Sequence, residues 1–203
     1  MAPNLPPLPV PGLSLIPNFT AQRPEIFVLK AQDRHLGRAS MLISACDPKG
    51  HAGAPFMQLN EESSHNVVFR TMEGQEVMRI MVDRHSWFSH KTEYKAVRSA
   101  DAVPIWDLEL KTGWRVPKYD LTIRDKSLKG KHVQVESKVA GEEKGIVIDG
   151  SPASTVSRHQ KWSHKHNEYV VHVAPGMDIM LALGVGWIRA DKVKKDEEVA
   201  VVA

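Results

Sequence analysis

The sequence predicts an all-β fold with one buried helix: a closed antiparallel barrel wrapped around an apolar helix near the C-terminus. Three observations point there. Short runs of alternating apolar and polar residues recur at roughly ten-residue spacing between turn signals, the pattern of an antiparallel sheet with one face on a core. Residues 179–188 form a helical run that is apolar on every face, so it needs a jacket of protein or lipid. A bilayer span takes about 20 apolar residues, roughly twice what stands before Arg189, Asp191 and Lys192 interrupt the run. A closed barrel supplies the jacket and removes its own sheet edges.

Taken in order, the chain opens with a proline-rich leader, residues 1–23, broken up by Pro3, Pro6, Pro7, Pro9, Pro11 and Pro17. It is expected to be extended and mobile. Its segment Pro6-Pro7-Leu8-Pro9-Val10-Pro11 also suits an SH3-type or WW-type groove on a protein partner. Residues 26–30 are a compact β-branched and aromatic run, and Ser40–Cys46 ends at the turn signal Asp47-Pro48-Lys49-Gly50. Residues 67–69 and 77–82 flank Met72-Glu73-Gly74 and read as a hairpin. In residues 105–111, Trp106, Leu108 and Leu110 share one face and Asp107, Glu109 and Lys111 the other, a half-buried strand. Leu121 with Ile123, Val133 with Val135, residues 146–148 before Asp149-Gly150-Ser151-Pro152, and Tyr169 with Val171 and Val173 continue the series. Gly184 and Gly186 each cost the helix about 1 kcal/mol relative to alanine, which makes sense where the barrel wall approaches the helix backbone. Domain boundaries follow: leader 1–23, barrel 24–195, and a charged tail 196–203 that emerges and frays.

A chain of 203 residues, 42% hydrophobic and 25% charged, is an ordinary globular protein of one domain. A net charge of +3 falls short of the concentrated basic face of a nucleic-acid binder. The lone Cys46 excludes an internal disulfide framework and reads as a small buried hydrophobe in a reducing compartment. No secretory or lipidation signal stands out. The expected location is cytoplasmic, with peripheral membrane or nuclear placement as variants.

Tyr169-Val-Val-His-Val-Ala-Pro-Gly-Met-Asp-Ile-Met-Leu-Ala-Leu183 is similar to the C-terminal signature of the LURP-one-related proteins, in which a strand ending in Val-Ala-Pro-Gly leads straight into the buried helix. Phe69-Arg-Thr-Met-Glu-Gly-Gln-Glu-Val-Met-Arg-Ile80 resembles that family's strand, turn and strand. Ser157-Arg-His-Gln-Lys-Trp162 resembles the segment before its last strand. The resemblance covers about residues 26–194. It implies the fold shared with tubby C-terminal domains and phospholipid scramblases, a closed barrel of about twelve strands around a central helix. Tubby domains bind phosphoinositides and scramblases act at membranes, but no residue of either activity is carried over to this sequence.

The catalytic patterns fail. Gly-x-Ser-x-Gly and the glycine-rich phosphate loops are absent, and Cys46 has no histidine beside it in sequence. The carboxylate pairs Glu61-Glu62, Glu142-Glu143 and Glu197-Glu198 read as solvated loops. His164 and His166 would share a face of a strand and suit a transition metal, but no third ligand stands near them and a polar loop explains them. No catalytic residue, metal or cofactor is expected. Two basic clusters remain: Lys126, Lys129 and Lys131 around Gly130, and Arg158, Lys161 and Lys165 around Trp162. Solubilising charge explains them; so does docking on anionic phospholipid, each Lys or Arg near such a leaflet being worth about 1 kcal/mol. The expected function is non-enzymatic: a binding or scaffold protein for a phosphoinositide-like headgroup or a protein partner. A small-molecule enzyme or carrier with a pocket at the barrel mouth is the alternative.

Overall fold

The computed structural model describes residues 3–32, 40–47, 51–84, 91–112, 117–125, 128, 130–159 and 168–202, with side chains throughout except at 40, 159 and 194–202. Twelve strands precede one helix: β1 (Glu25–Ala31), β2 (Ser40–Cys46), β3 (Ala52–Ser63), β4 (Asn66–Thr71), β5 (Glu76–Arg84), β6 (Lys91–Arg98), β7 (Val103–Lys111), β8 (Lys118–Ile123), β9 (Val133–Val139), β10 (Glu142–Ile148), β11 (Ser151–His159), β12 (Glu168–Val173) and α1 (Ile179–Val202). The strands form one sheet in the order β8-β7-β6-β5-β4-β3-β2-β1-β12-β11-β10-β9. Its ladders are antiparallel, and β1 pairs with β12 (Phe27 opposite Val171). The barrel is therefore nearly closed: it breaks where β8 and β9, the two ends of the sheet, face each other without a ladder.

Period-two patterning decides which side chains enter. Trp106, Leu108 and Leu110 of β7 are all buried, as are Phe27 and Leu29 of β1 and Val171 and Val173 of β12. They close around α1, whose Met180, Leu181, Ala182, Leu183, Val185 and Ile188 are wholly inaccessible. The glycines of the helix mark the tightest approach. A Cβ on Gly184 would lie 2.7 Å from Trp106 Cζ2, and one on Gly186 would lie 2.8 Å from Val171 Cγ2.

Three strands, β3, β6 and β11, are absent from the sequence reading. Pro152 conceals β11, yet it sits at the strand's start opposite an irregularity between Ile146 and Val147, a position that tolerates proline. Glu62 lies on β3 rather than in a loop, and accepts hydrogen bonds from Arg70 and Arg79 across the outer face of the sheet. Glu142 and Glu143 belong to β10. The helix does not stop with its apolar run: Glu197 and Glu198 continue it to Val202, Lys, Glu and Ala being good helix formers.

The leader is not a mobile tail. Leu5, Leu8, Leu13, Leu15 and Ile16 are buried against the barrel mouth where α1 begins. Leu8 N donates to Pro175 O at 2.9 Å, Leu13 N to Gly176 O at 2.8 Å and Ala21 N to Met177 O at 2.9 Å. Gly12, at φ 76°, approaches so closely that a Cβ there would lie 2.4 Å from Gly176 O. The prolines conceal this packing in the sequence: Pro6, Pro7 and Pro9 are exposed, and the leucines between them do the burying.

The fastening is Asp178, wholly buried at the N-cap of α1. Its Oδ1 accepts from Leu181 N at 2.8 Å, capping the helix. Its Oδ2 accepts from Leu15 N at 2.7 Å and Ile16 N at 2.9 Å, binding the leader to the same carboxylate. Burial pushes this carboxyl up to about 6, against the opposing pull of the backbone donors.

Candidate functional site

The site is built on the unclosed seam. Arg124 N donates to Ile105 O at 2.9 Å, continuing the ladder by which β8 pairs with β7. In an antiparallel ladder alternate residues turn their main chain toward the partner. Asp120 and Thr122 therefore face β7, and Tyr119, Leu121 and Ile123 direct their N–H and C=O groups at the seam. On the other side Asp149 N donates to His132 O at 2.9 Å. The same alternation turns Gln134 and Glu136 toward β10 and leaves Val133, Val135 and Ser137 facing the seam.

Between these edges lies a groove of about 840 Å³ running from Lys118 to Glu136. Leu121, Ile123, Leu128 and Val135 are only partly buried, packed against the core on one side and open to the groove on the other. At the end where α1 leaves the barrel the seam is fastened from beneath. Lys144 of β10 is 6% exposed; its Nζ lies 4.2 Å from the centroid of the Tyr119 ring and 3.3 Å from Ser137 Oγ. Burial, with Arg189 nearby, lowers the Lys144 amine below the usual lysine range.

The connection from β8 to β9 turns by successive bonds, Leu128 N to Asp125 O at 3.2 Å and Lys131 N to Leu128 O at 3.1 Å. Gly130 between them has φ 106°, a conformation that requires glycine. Most cations around the groove are neutralised. Arg124 pairs with Asp107, Lys118 with Asp120 at 2.8 Å, and Lys111 with both Asp120 at 3.1 Å and Glu109 at 2.7 Å. Contact with Lys111 and Lys91 holds Glu109 below the usual carboxylate range. Among the described residues Lys131 has no acidic partner and Glu136 no basic one.

The sequence places six cations in two clusters; the structure separates the two members it describes. Val133 pairs with Ile148, and Ile148 with Ser151, so Lys131 stands at the end of the barrel where β11 begins. Arg158, opposite Tyr169, stands where β11 finishes. Seven steps of strand, about 23 Å at 3.3 Å each, separate the two levels, so Lys131 and Arg158 cannot share one small ligand. Lys126, Lys129, Lys161 and Lys165 lie outside the described residues, as do His164 and His166. Sequence reasoning missed Lys144 and Tyr119: Tyr119 sits at the start of a recognised strand, and no local signal in Glu143-Lys144-Gly145 announces a lysine turned inward.

At the opposite mouth the barrel is filled by protein. Trp187 of α1 packs edge-on against Tyr94 at 5.9 Å between ring centroids. Tyr94 donates to Asp191 at 3.3 Å, and Arg189 reaches Glu143 at 3.2 Å. Among the described residues no group of His, Cys, Asp and Glu is arranged to hold a metal ion, and no helix is long and apolar enough to cross a membrane.

No family model matches the chain, and no curated protein matches it. Among solved structures, it is similar to the X-ray structure of a protein from Arabidopsis thaliana, with a TM-score of 0.56 at 14% identity, covering 89% of this chain and 98% of that one. At that identity the likeness concerns the fold alone.

Proposed function

We propose that this chain is a non-enzymatic docking domain of the LURP-one-related type, which binds anionic phospholipid headgroups through the turn between β8 and β9. The observation that carries this reading is the Lys131 ammonium at the groove's end, without an acidic partner among the described residues, beside a glycine-dependent turn whose sequence adds Lys126 and Lys129. Among the described residues Lys118 and Arg124 of the groove are held by carboxylates, so attraction to a phosphate concentrates at this turn. The Ala174-Pro175-Gly176 junction leading from β12 into α1 and the barrel likeness support the family assignment. In this reading the protein works in the cytoplasm, at the membrane surface.

The carrier alternative draws on a groove whose volume, about 840 Å³, falls within the range of small-molecule sites. The packed barrel mouth argues against the pocket first expected there.

Co-sedimentation with liposomes containing phosphoinositide, at low and physiological salt, tests the lipid reading. Charge reversal of Lys126, Lys129 and Lys131 together is expected to abolish binding, at about 1 kcal/mol per cation. Reversal of the second cluster, Arg158, Lys161 and Lys165, is expected to leave it within about twofold. Absence of binding at either salt, or equal sensitivity to both sets, overturns the proposal.

A further inference from the structure

We propose that residues 5–10 of the leader form a polyproline II ridge that the barrel displays to a protein partner, a folded module of the SH3 or WW type with an aromatic-lined groove. Proline holds its own φ at about −65° and confines the residue before it to extended conformations. In Leu5-Pro6-Pro7-Leu8-Pro9 every residue is a proline or precedes one. Such a segment is polyproline II, with three residues per turn. Burial follows the same period: Leu5 and Leu8 are buried, while Pro6, Pro7, Pro9 and Val10 are exposed. One edge of the ridge lies on the barrel, and its other two face outward.

The ridge is held in place by main-chain bonds. Leu8 N donates to Pro175 O at 2.9 Å, and Leu13 N to Gly176 O at 2.8 Å. Between them Gly12 N closes a turn on Pro9 O at 2.8 Å. Val10 stands in that turn, 96% exposed, the most exposed large hydrophobic side chain among the described residues. The leucines account for the fastening. Pro6, Pro7, Pro9 and Val10 are left as an apolar run turned to solvent, and its chemistry selects the partner. No charged side chain occurs between Met1 and Gln22, so the ridge offers an anionic headgroup nothing to hold. Polyproline II makes no internal hydrogen bonds. A groove lined by Tyr and Trp can therefore stack on the proline rings and donate to the carbonyls between them. The surface is distinct from the turn between β8 and β9, and its recognition should be indifferent to salt where headgroup docking is sensitive.

A purified panel of isotope-labelled WW-type and SH3-type domains, titrated with the unlabelled full chain and read by NMR, tests this. At least one domain should bind through its aromatic groove. It should hold the full chain at least as tightly as a free peptide of residues 3–12, because the barrel has already ordered the ridge. Its affinity should change less than about twofold between low and physiological salt. Pro6→Ala combined with Pro9→Ala should weaken binding at least about tenfold in a protein that still melts cooperatively, both prolines being exposed. Val10→Asp, at an exposed position, should weaken it about tenfold as well. Reversal of Lys126, Lys129 and Lys131 should leave it within about twofold, which separates the ridge from headgroup docking. Binding by the free peptide but not by the full chain would mean that the partner needs the leucine edge, and would overturn the proposal. So would a panel in which no domain binds, or binding indifferent to the proline changes. Loss of liposome binding in the double alanine variant would mark the ridge as a lipid contact, and would overturn it too.

Discussion

The leader-end mouth and the β8–β9 seam are two places where strand pairing alone does not complete the barrel, and the molecule handles them in opposite ways. At the mouth, residues 3–21 fold back over the start of α1, and one carboxylate, Asp178, takes backbone N–H groups from Leu15, Ile16, Met180 and Leu181. Leu13 is buried there as deeply as any barrel residue. At the seam, strands with equally good alternation stop short of a ladder, and Leu121 and Val135 stay half covered. An opening is sealed where the chain has spare apolar sequence to lay over it. The nine-residue connection between β8 and β9 is spent on a charged turn, whose one large apolar side chain is Leu128.

The largest effect should come from removing what both regions rest on. Leu181 is wholly buried in α1, and Leu181→Asp would place an unpaired charge in the packed lumen. No soluble folded protein is expected; a cooperative melt like that of the wild type would remove the central helix from the argument.

Asp178→Ala comes next. It leaves buried N–H groups of the leader and helix cap without an acceptor, at a loss of about 3 kcal/mol or more, read from denaturant midpoints. The pH dependence has a definite sign. A folded-state value raised to about 6 means that this group's contribution is complete below the ordinary aspartate range and is lost as pH rises through about 6. Across that window the wild type should lose about 3 kcal/mol of its advantage over the alanine variant. A flat difference between pH 4 and 7 would show that the carboxylate is already ionised at low pH, held by its four donors.

The smallest effect belongs to the seam. Lys144→Met replaces a buried amine, which has a hydroxyl and an aromatic face for company, with an apolar chain of similar length. It should be neutral or stabilising by about 1 kcal/mol at pH 7. Because burial lowers the amine's folded-state value, the penalty in the wild type disappears as pH rises toward the ordinary lysine range, near 10.4. A destabilised variant would instead make the Lys144–Tyr119 contact the clasp that limits how far the seam opens.

Much of the architecture is legible in the residues. Trp106, Leu108 and Leu110 announce an inward face by simple alternation, and the unbroken apolarity around Leu181 and Leu183 demands enclosure. Gly184 and Gly186 foretell the close approach of Trp106 and Val171 without naming them. Other features are hidden for physical reasons. Leu5, Leu8 and Leu13 have no helical or strand period because the leader they anchor follows the surface it covers. The Pro152 strand and the seam are decided by which strand lies alongside, a long-range fact that no local pattern encodes. Lys131 and Arg158 look alike in sequence and stand at opposite ends because β11 runs the barrel's length between their levels.

The pairing of β1 with β12, and the bonds from Leu15 and Ile16 to Asp178, 163 and 162 positions away, carry a consequence for synthesis. β1 finds β2 early, but its other neighbour β12 and the leader's acceptor Asp178 arrive only once nearly the whole barrel has been made. Contacts of such sequence separation form slowly. During translation at about 5–20 residues per second, the β1 edge and the leader's leucines wait roughly ten seconds or more without cover. For that interval the nascent chain is a sheet with two free flanks, the state in which a chaperone has most to hold.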